Sequence, residues 1–309
     1  MSRVLSTAFC VALLAATAGA FALTEKAKLQ LSPIYRTLIA PKVFSPTCDC
    51  ATSAAYIRFR LRKSDTLSVW MERGGKRAST LVSNRHYHAG EVSLRFDGLS
   101  DSGQTLPDGT YEPVIHFRSS HLTLHLPKPA WIELDTKPPV LHIRRGIRAQ
   151  ISPDGDGRRD AFHVHFRLSE PGHGILLLAG RQVWFTRGLH ELGTLTWDGK
   201  LDGHPVRPGS YVLSASAQDA AGNRAKPKPV AVVTVRYIEL GSSRVEVEPG
   251  KRFAIAVSTD ARSYTWLFAR GHGTAHTRTL RLRAPAKRGA YRLYVTENGH
   301  SASALVVVG

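Results

Sequence analysis

Phe162-His163-Val164-His165-Phe166-Arg167-Leu168 sets an apolar side chain at every second position, with His or Arg between. Period 2 is the spacing of a β-strand that buries one face and wets the other. An earlier stretch, Ile57-Arg58-Phe59-Arg60-Leu61, has the same alternation. Around the two strands other landmarks recur in the same order. Val43-Phe44-Ser45-Pro46 answers to Gln150-Ile151-Ser152-Pro153, and Phe96-Asp97-Gly98 to Trp197-Asp198-Gly199. Pro107-Asp108-Gly109-Thr110-Tyr111 answers to Arg207-Pro208-Gly209-Ser210-Tyr211. Four ordered matches establish an internal duplication.

Ile175 to Leu178, Tyr211 to Ala217 and Val230 to Tyr237 are further strand-length apolar runs. Glu170-Pro171-Gly172 and Asp202-Gly203-His204-Pro205 read as the turns that separate strands. No segment after Leu23 keeps a 3.6-residue period over a helical length. Short strands with regular turn signals predict an all-β chain of tandem immunoglobulin-like β-sandwiches after one N-terminal apolar helix.

The expected organisation is an N-terminal signal peptide or membrane anchor over residues 1–23 and a linker over 24–42. The first repeat then covers 43–137, the second 138–237, and a third β-sandwich 238–309. Asp135-Thr136-Lys137-Pro138-Pro139 reads as a stiff connector, because paired prolines remove backbone donors and favour extended chain. In the third module Phe253 to Val257, Tyr264 to Phe268, Thr279 to Leu282, Tyr291 to Val295 and Ala304 to Val308 read as strands. Asn298-Gly299 predicts a two-residue hairpin turn. This module reads as lacking the repeat landmarks, with Trp266 as its core centre.

The landmarks resemble those of the FlgD-type immunoglobulin-like domain family, whose pattern runs Ser-Pro, Trp-Asp-Gly, a further Gly, then Pro-x-Gly-x-Tyr. The second repeat supplies Ser152-Pro153, Trp197-Asp198-Gly199, Gly203 and Pro208-Gly209-Ser210-Tyr211, with the tail Asp219-Ala220-Ala221-Gly222-Asn223. The first departs twice: Phe96 replaces the Trp, and Cys48-Asp49-Cys50 stands where the second has Gly155-Asp156-Gly157. The resemblance covers about two thirds of the chain and implies the fold. It says little about activity, since such modules serve as spacers, adhesive parts and assembly parts of exported bacterial proteins. By their own chemistry these are folding residues. Trp197 and Phe96 are core anchors, and Asp198-Gly199 and Asp97-Gly98 are carboxylate-closed turns. Gly209 permits a tight turn, and Tyr111 and Tyr211 are expected to bury their rings while bonding backbone through the hydroxyl.

Arg3 precedes an uncharged run from Leu5 to Leu23, with small-residue cleavage candidates at Ala18-Gly19-Ala20 and Ala20-Phe21-Ala22. A cleaved signal and a retained anchor are both compatible with that run, and each exports the remainder. The cysteines agree: Cys10 lies within the run, leaving Cys48 and Cys50 as the mature pair. In an oxidising compartment the expected state is a Cys48–Cys50 disulfide, with a free dithiol or an intermolecular bond as competitors.

Lys and Arg number 42 against 24 Asp and Glu, a net charge of +18. That balance attracts polyanions. Arg58, Arg60 and Arg62, with His165 and Arg167 as counterparts, form an outward basic stripe suited to anionic glycans or wall polymers. No Lys/Arg block concentrates the charge, so its spread over solvated strands is the competing account, and no specific nucleic-acid partner is expected.

His163-x-His165 and His86-x-His88 each present two imidazoles on one face without a fixed third ligand. Asp154, Asp156 and Asp160 alternate with glycines and arginines. Calcium is one reading of that spacing; carboxylates closing an Asp/Gly turn are the other. Gly-x-Ser-x-Gly, Gly-rich phosphate-loop and His-Glu-x-x-His patterns are missing. The expectation is therefore a non-enzymatic, exported cell-envelope protein without a required cofactor. Its partner would be an envelope protein or an anionic wall polymer, or it would be an accessory part of a surface or secretion apparatus. It would meet the membrane only through its N-terminal segment.

Overall fold

A computed structural model of the chain describes residues 9, 11–21 and 32–309. Residues 11–21 are helical. No helix among the described residues is long and apolar enough to cross a membrane. The rest of the Leu5–Leu23 run, with Arg3, Cys10 and Ala22, lies outside them, as do residues 24–31.

The chain divides into two compact units, Met1–Thr136 and Lys137–Gly309. The first is one sandwich. Ile34–Ala40, Ala55–Leu61 and Gly90–Phe96 form one sheet in that order. Val43–Phe44, Ile132–Leu134, Gly109–Phe117, Asp65–Arg73 and Lys76–Tyr87 form the other. Alternation predicts the buried set: Ala55, Ile57, Phe59 and Leu61 face inward while Tyr56 and Arg58 face water. Inside, Phe44 packs edge-on against Phe96 at 5.3 Å between ring centroids, and Phe96 lies 5.6 Å from Tyr111.

The expected linker 24–42 contains a strand. Ile34–Ala40 pairs antiparallel with Ala55–Leu61 and belongs to the first module. Its pattern is concealed because the register shifts between Tyr35 and Leu38 and only Ile34 and Ile39 are buried, so period 2 is lost.

The second unit contains two sandwiches with separate cores. In the second module Phe162–Leu178 serves both layers: Phe162 to Arg167 pair with His190–Trp197, while Gly172 to Leu178 pair with Gly209–Asp219. Glu170-Pro171-Gly172 is thus a bend inside one strand and not a turn between two. The register shift against His190–Trp197 falls there, where the chain crosses between layers. Trp197 is 1% exposed at the core and meets Tyr211 edge-on at 5.6 Å.

In the third module Glu239–Leu240, Arg252–Ser258 and Thr279–Arg283 face a sheet of Arg244–Val247, His300–Val308, Gly289–Glu297, Tyr264–Phe268 and Gly271–Ala275. Its core is Phe253, Ile255, Phe268, Leu293, Val295 and Val306. Trp266 is not the centre. It is partly exposed and lies over Gly271 and Gly273, whose missing side chains leave room for the indole near the sheet edge.

All three modules share one chain path. The opening strand splits, pairing antiparallel with the next long strand and then parallel with the module's last strand. The parallel partners are Val43–Phe44 with Ile132–Leu134, Ile147–Ile151 with Lys228–Val235, and Arg244–Val247 with His300–Val308. A split opening strand lets one segment supply an edge strand to both sheets of a sandwich.

Candidate functional site

The repeat landmarks are spent on folding. Asp198 Oδ1 accepts the Lys200 N–H at 3.2 Å, and Asp97 Oδ1 accepts that of Leu99 at 3.2 Å. Gly199 sits at φ +74°, and a Cβ there would come within 2.6 Å of Pro153 Cγ. Gly98 is at φ +71°, with Leu134 Cδ1 2.8 Å from the same imagined atom. These turns lock the Ser-Pro loop onto the strand end, which only glycine permits. The Trp197 indole N–H donates to the Lys200 carbonyl at 2.8 Å.

Tyr111 donates its hydroxyl proton to the Pro107 carbonyl at 2.6 Å, and Tyr211 to that of Arg207 at 2.7 Å. Burial raises the Tyr111 phenol above its usual range, against the lowering effect of Arg73. The third module repeats the arrangement: Tyr291 donates to the Lys287 carbonyl at 2.9 Å. Lys287-Arg288-Gly289-Ala290-Tyr291 is thus a third copy of the corner, against the expectation that this module lacks every landmark. Its Gly-x-Tyr was the visible signal.

Cys48 and Cys50 are joined by a disulfide, with Cα atoms 5.2 Å apart. The bridged loop is closed by the Ser45 N–H donating to the Thr52 carbonyl at 3.1 Å. In the second module the Ser152 N–H donates to the Arg159 carbonyl at 2.9 Å and does the same work.

Carboxylates secure that second loop. Asp160 accepts the Gly155 N–H at 2.8 Å through Oδ1 and the Gly157 N–H at 2.7 Å through Oδ2. Asp156 Oδ1 accepts the Arg158 N–H at 2.7 Å, and Asp154 Oδ1 that of Asp156 at 3.1 Å. Asp154, Asp156 and Asp160 do lie close enough to share an ion, but Asp156 and Asp160 already spend oxygens on backbone. Asp154 differs, because its Oδ2 is buried without a partner.

That oxygen faces the third module. Asp260 follows the strand Arg252–Ser258, and Glu297 ends the strand Gly289–Glu297. Asn298-Gly299 makes the expected tight turn, with φ of +39° and +84°, and pairs Glu297 with His300. The His300 ring stacks on Tyr237 at 3.5 Å, which fixes the hairpin tip against the second module. Carboxylate oxygens of Asp154, Asp260 and Glu297 lie within 4.8 Å of one another. Glu297 is 4% exposed. Its Oε1 and both Asp260 oxygens are buried without hydrogen-bond partners. Glu297 Oε2 accepts the Thr259 hydroxyl. Among the described residues none of the three forms an ion pair with Lys or Arg; the Arg158 guanidinium donates to the Asp260 backbone carbonyl, at 3.2 Å, and not to its carboxylate. Burial, the opposed Asp154 carboxyl and the Asp260 charge push Glu297 up to about 7. Burial likewise raises Asp260, reinforced by the charges of Asp154 and Asp156. No sequence spacing brings these three together, and only Asp154 was a candidate beforehand.

Beside the trio opens a cleft whose charged lining is Arg158, Arg159, Arg262 and Arg278 together with Glu239 and Asp260 itself. The Arg58 stripe lies on the outward face of the first module, where Arg58 stacks over Tyr56 at 5.8 Å and Arg62 over Tyr35 at 4.8 Å. His163 and His165 bond the hydroxyls of Thr196 and Thr194 at 3.1 and 2.9 Å. Neither they nor His86 and His88 join any group of three close metal-ligating side chains among the described residues.

The strand pairing defines a protein of tandem immunoglobulin-like modules. No family model matches the chain, and no curated protein does. Among solved structures, it is similar to the fibronectin(III)-like modules of Clostridium thermocellum CbhA, at 15% identity over 55% of this chain and 94% of that one, with a TM-score of 0.22. The Bacteroides ovatus protein SGBP-B, solved with a mixed-linkage heptasaccharide, shares 13% identity over 89% of this chain and 71% of that one, TM-score 0.23. The four N-terminal Ig domains of Dscam1 share 15% over 89% and 73%, TM-score 0.21. Likeness this distant carries no argument about function.

Proposed function

We propose that the chain is an exported, non-catalytic interaction or spacer protein of the cell envelope, carried out of the cytoplasm by its N-terminal segment. One observation carries this reading: the motif residues of all three modules are consumed by folding. Trp197 and the tyrosines at 111, 211 and 291 are tied to backbone carbonyls. No nucleophile–base pair is built on them. Membership of the FlgD-type family belongs to the same reading, supported by the Ser-Pro, Trp-Asp-Gly and Gly-x-Tyr turns in their expected structural roles. Protease added to intact spheroplasts should digest the modules; protection that ends only on lysis would overturn the envelope placement.

A second reading, binding of anionic glycans or wall polymers, is favoured by the arginine-lined cleft at Arg158, Arg159, Arg262 and Arg278. Retention of the purified chain on wall polymer at low salt, with release as salt rises, would replace the spacer reading with this one.

A further inference from the structure

We propose that Asp154, Asp260 and Glu297 bind a calcium ion that ties the second module to the third. An unpaired buried carboxylate is costly, and costlier still when two others face it at short range. Here the oxygens left without donors are Asp154 Oδ2, both oxygens of Asp260 and Glu297 Oε1, and all are buried. Glu297 is decisive, because it is almost wholly enclosed, keeps one buried oxygen without a donor and brings its carboxylate within 4.8 Å of its two acidic neighbours. Among the described residues no Lys or Arg side chain pairs with these carboxylates, the nearest contact being Arg158 on the Asp260 backbone carbonyl, so they do not neutralise the cluster.

The donor set selects the ion. Every ligand is a hard oxygen, which excludes the thiolate- and imidazole-seeking metals. Magnesium requires near-ideal octahedral geometry at about 2.0–2.1 Å and keeps much of its water, whereas calcium accepts about 6–8 oxygens at about 2.3–2.6 Å in irregular arrangements. The four free carboxylate oxygens and the buried Ser152 hydroxyl suit the second description. A divalent ion offsets two of the three negative charges. Because Asp154 lies on the second module and the others on the third, the ion would stiffen the junction.

The test is thermal unfolding of the full chain in EDTA, in calcium and in magnesium. Calcium near 1 mM, the affinity range of extracellular modules, should raise the melting temperature of the Lys137–Gly309 unit by about 3–5 °C. Magnesium at the same concentration should raise it by less than half as much. Glu297→Gln should abolish the calcium shift yet unfold no earlier than wild type in EDTA, since it removes a repelled charge. Terbium supplies a readout on the wild-type protein should that variant not fold. Tyr237, close enough to feel the Asp154 charge, should sensitise its luminescence, and calcium should quench it by competition. An absent calcium shift, an equal magnesium shift, a full shift in Glu297→Gln or terbium emission indifferent to calcium would each overturn the proposal. The carboxyls would then simply share a proton.

Discussion

Two tryptophans in adjacent modules give a quantitative contrast. Trp197 is 1% exposed in the second core, whereas Trp266 is partly exposed at a sheet edge of the third. A buried indole removes about 150–250 Å² from water, worth about 4–6 kcal/mol at about 25 cal/mol/Å². Alanine retains part of that area, so Trp197→Ala should cost about 3–5 kcal/mol. Trp266→Ala loses less area and leaves a groove that water fills, so about 1–2 kcal/mol is expected. A module of this size has about 5–15 kcal/mol in all, and each kcal/mol moves its melting temperature by about 4–8 °C. Trp197→Ala should therefore bring unfolding of the second module near ambient temperature, while Trp266→Ala shifts the third by about 4–16 °C. Calorimetry of the full chain resolves the two, with the transition of the first unit as internal control. Equal shifts, or a larger one for Trp266, would refute the placement of Trp197 as core anchor.

The third tyrosine corner is testable through Tyr291→Phe, which should cost about 0.5–1.5 kcal/mol for one lost hydrogen bond at a partly exposed site. Tyr111→Phe should cost more, about 1–3 kcal/mol, because that ring is fully enclosed. A melting temperature unchanged in both would show that the hydroxyls are dispensable. For the Cys48–Cys50 bridge, alkylation should add two groups only after reduction. The loop it closes is so short that reduction should lower the stability of the first unit by no more than about 1.5 kcal/mol; two groups added without reductant would show a free dithiol.

What could be read ahead of the structure was local. Alternation at Phe162 to Leu168 identified a strand because side-chain direction follows directly from backbone period. Asn298-Gly299 identified its turn because few dipeptides tolerate positive φ at both positions. Strand Ile34–Ala40 was missed because a bulge interrupts its period, and the Glu170 bend because Pro-Gly reads alike whether a chain reverses or merely crosses layers. Trp266 was misplaced since hydrophobicity ranks a residue without locating it: the glycines at 271 and 273 that seat its ring lie on a neighbouring strand.

The acidic trio is unreadable for a deeper reason. Asp154 belongs to an Asp/Gly turn and Asp260 to a polar loop, while Glu297 precedes a hairpin tip where solvent would be the default. Each residue by itself is ordinary. Contacts remote in sequence, the stacking of Tyr237 on His300 and the Arg158 bond to the Asp260 carbonyl, bring the Glu297 hairpin to the Asp154 loop. Replacement of such a group by well-packed apolar residues is commonly neutral or stabilising, so buried carboxylates are poor evidence of a need for stability. Here the chain places three such carboxylates together, while its aromatic landmarks serve the cores. The modules are thus specified by local signals. What distinguishes this chain from any other row of sandwiches is concentrated where two of them meet, in charges that folding by itself leaves unanswered.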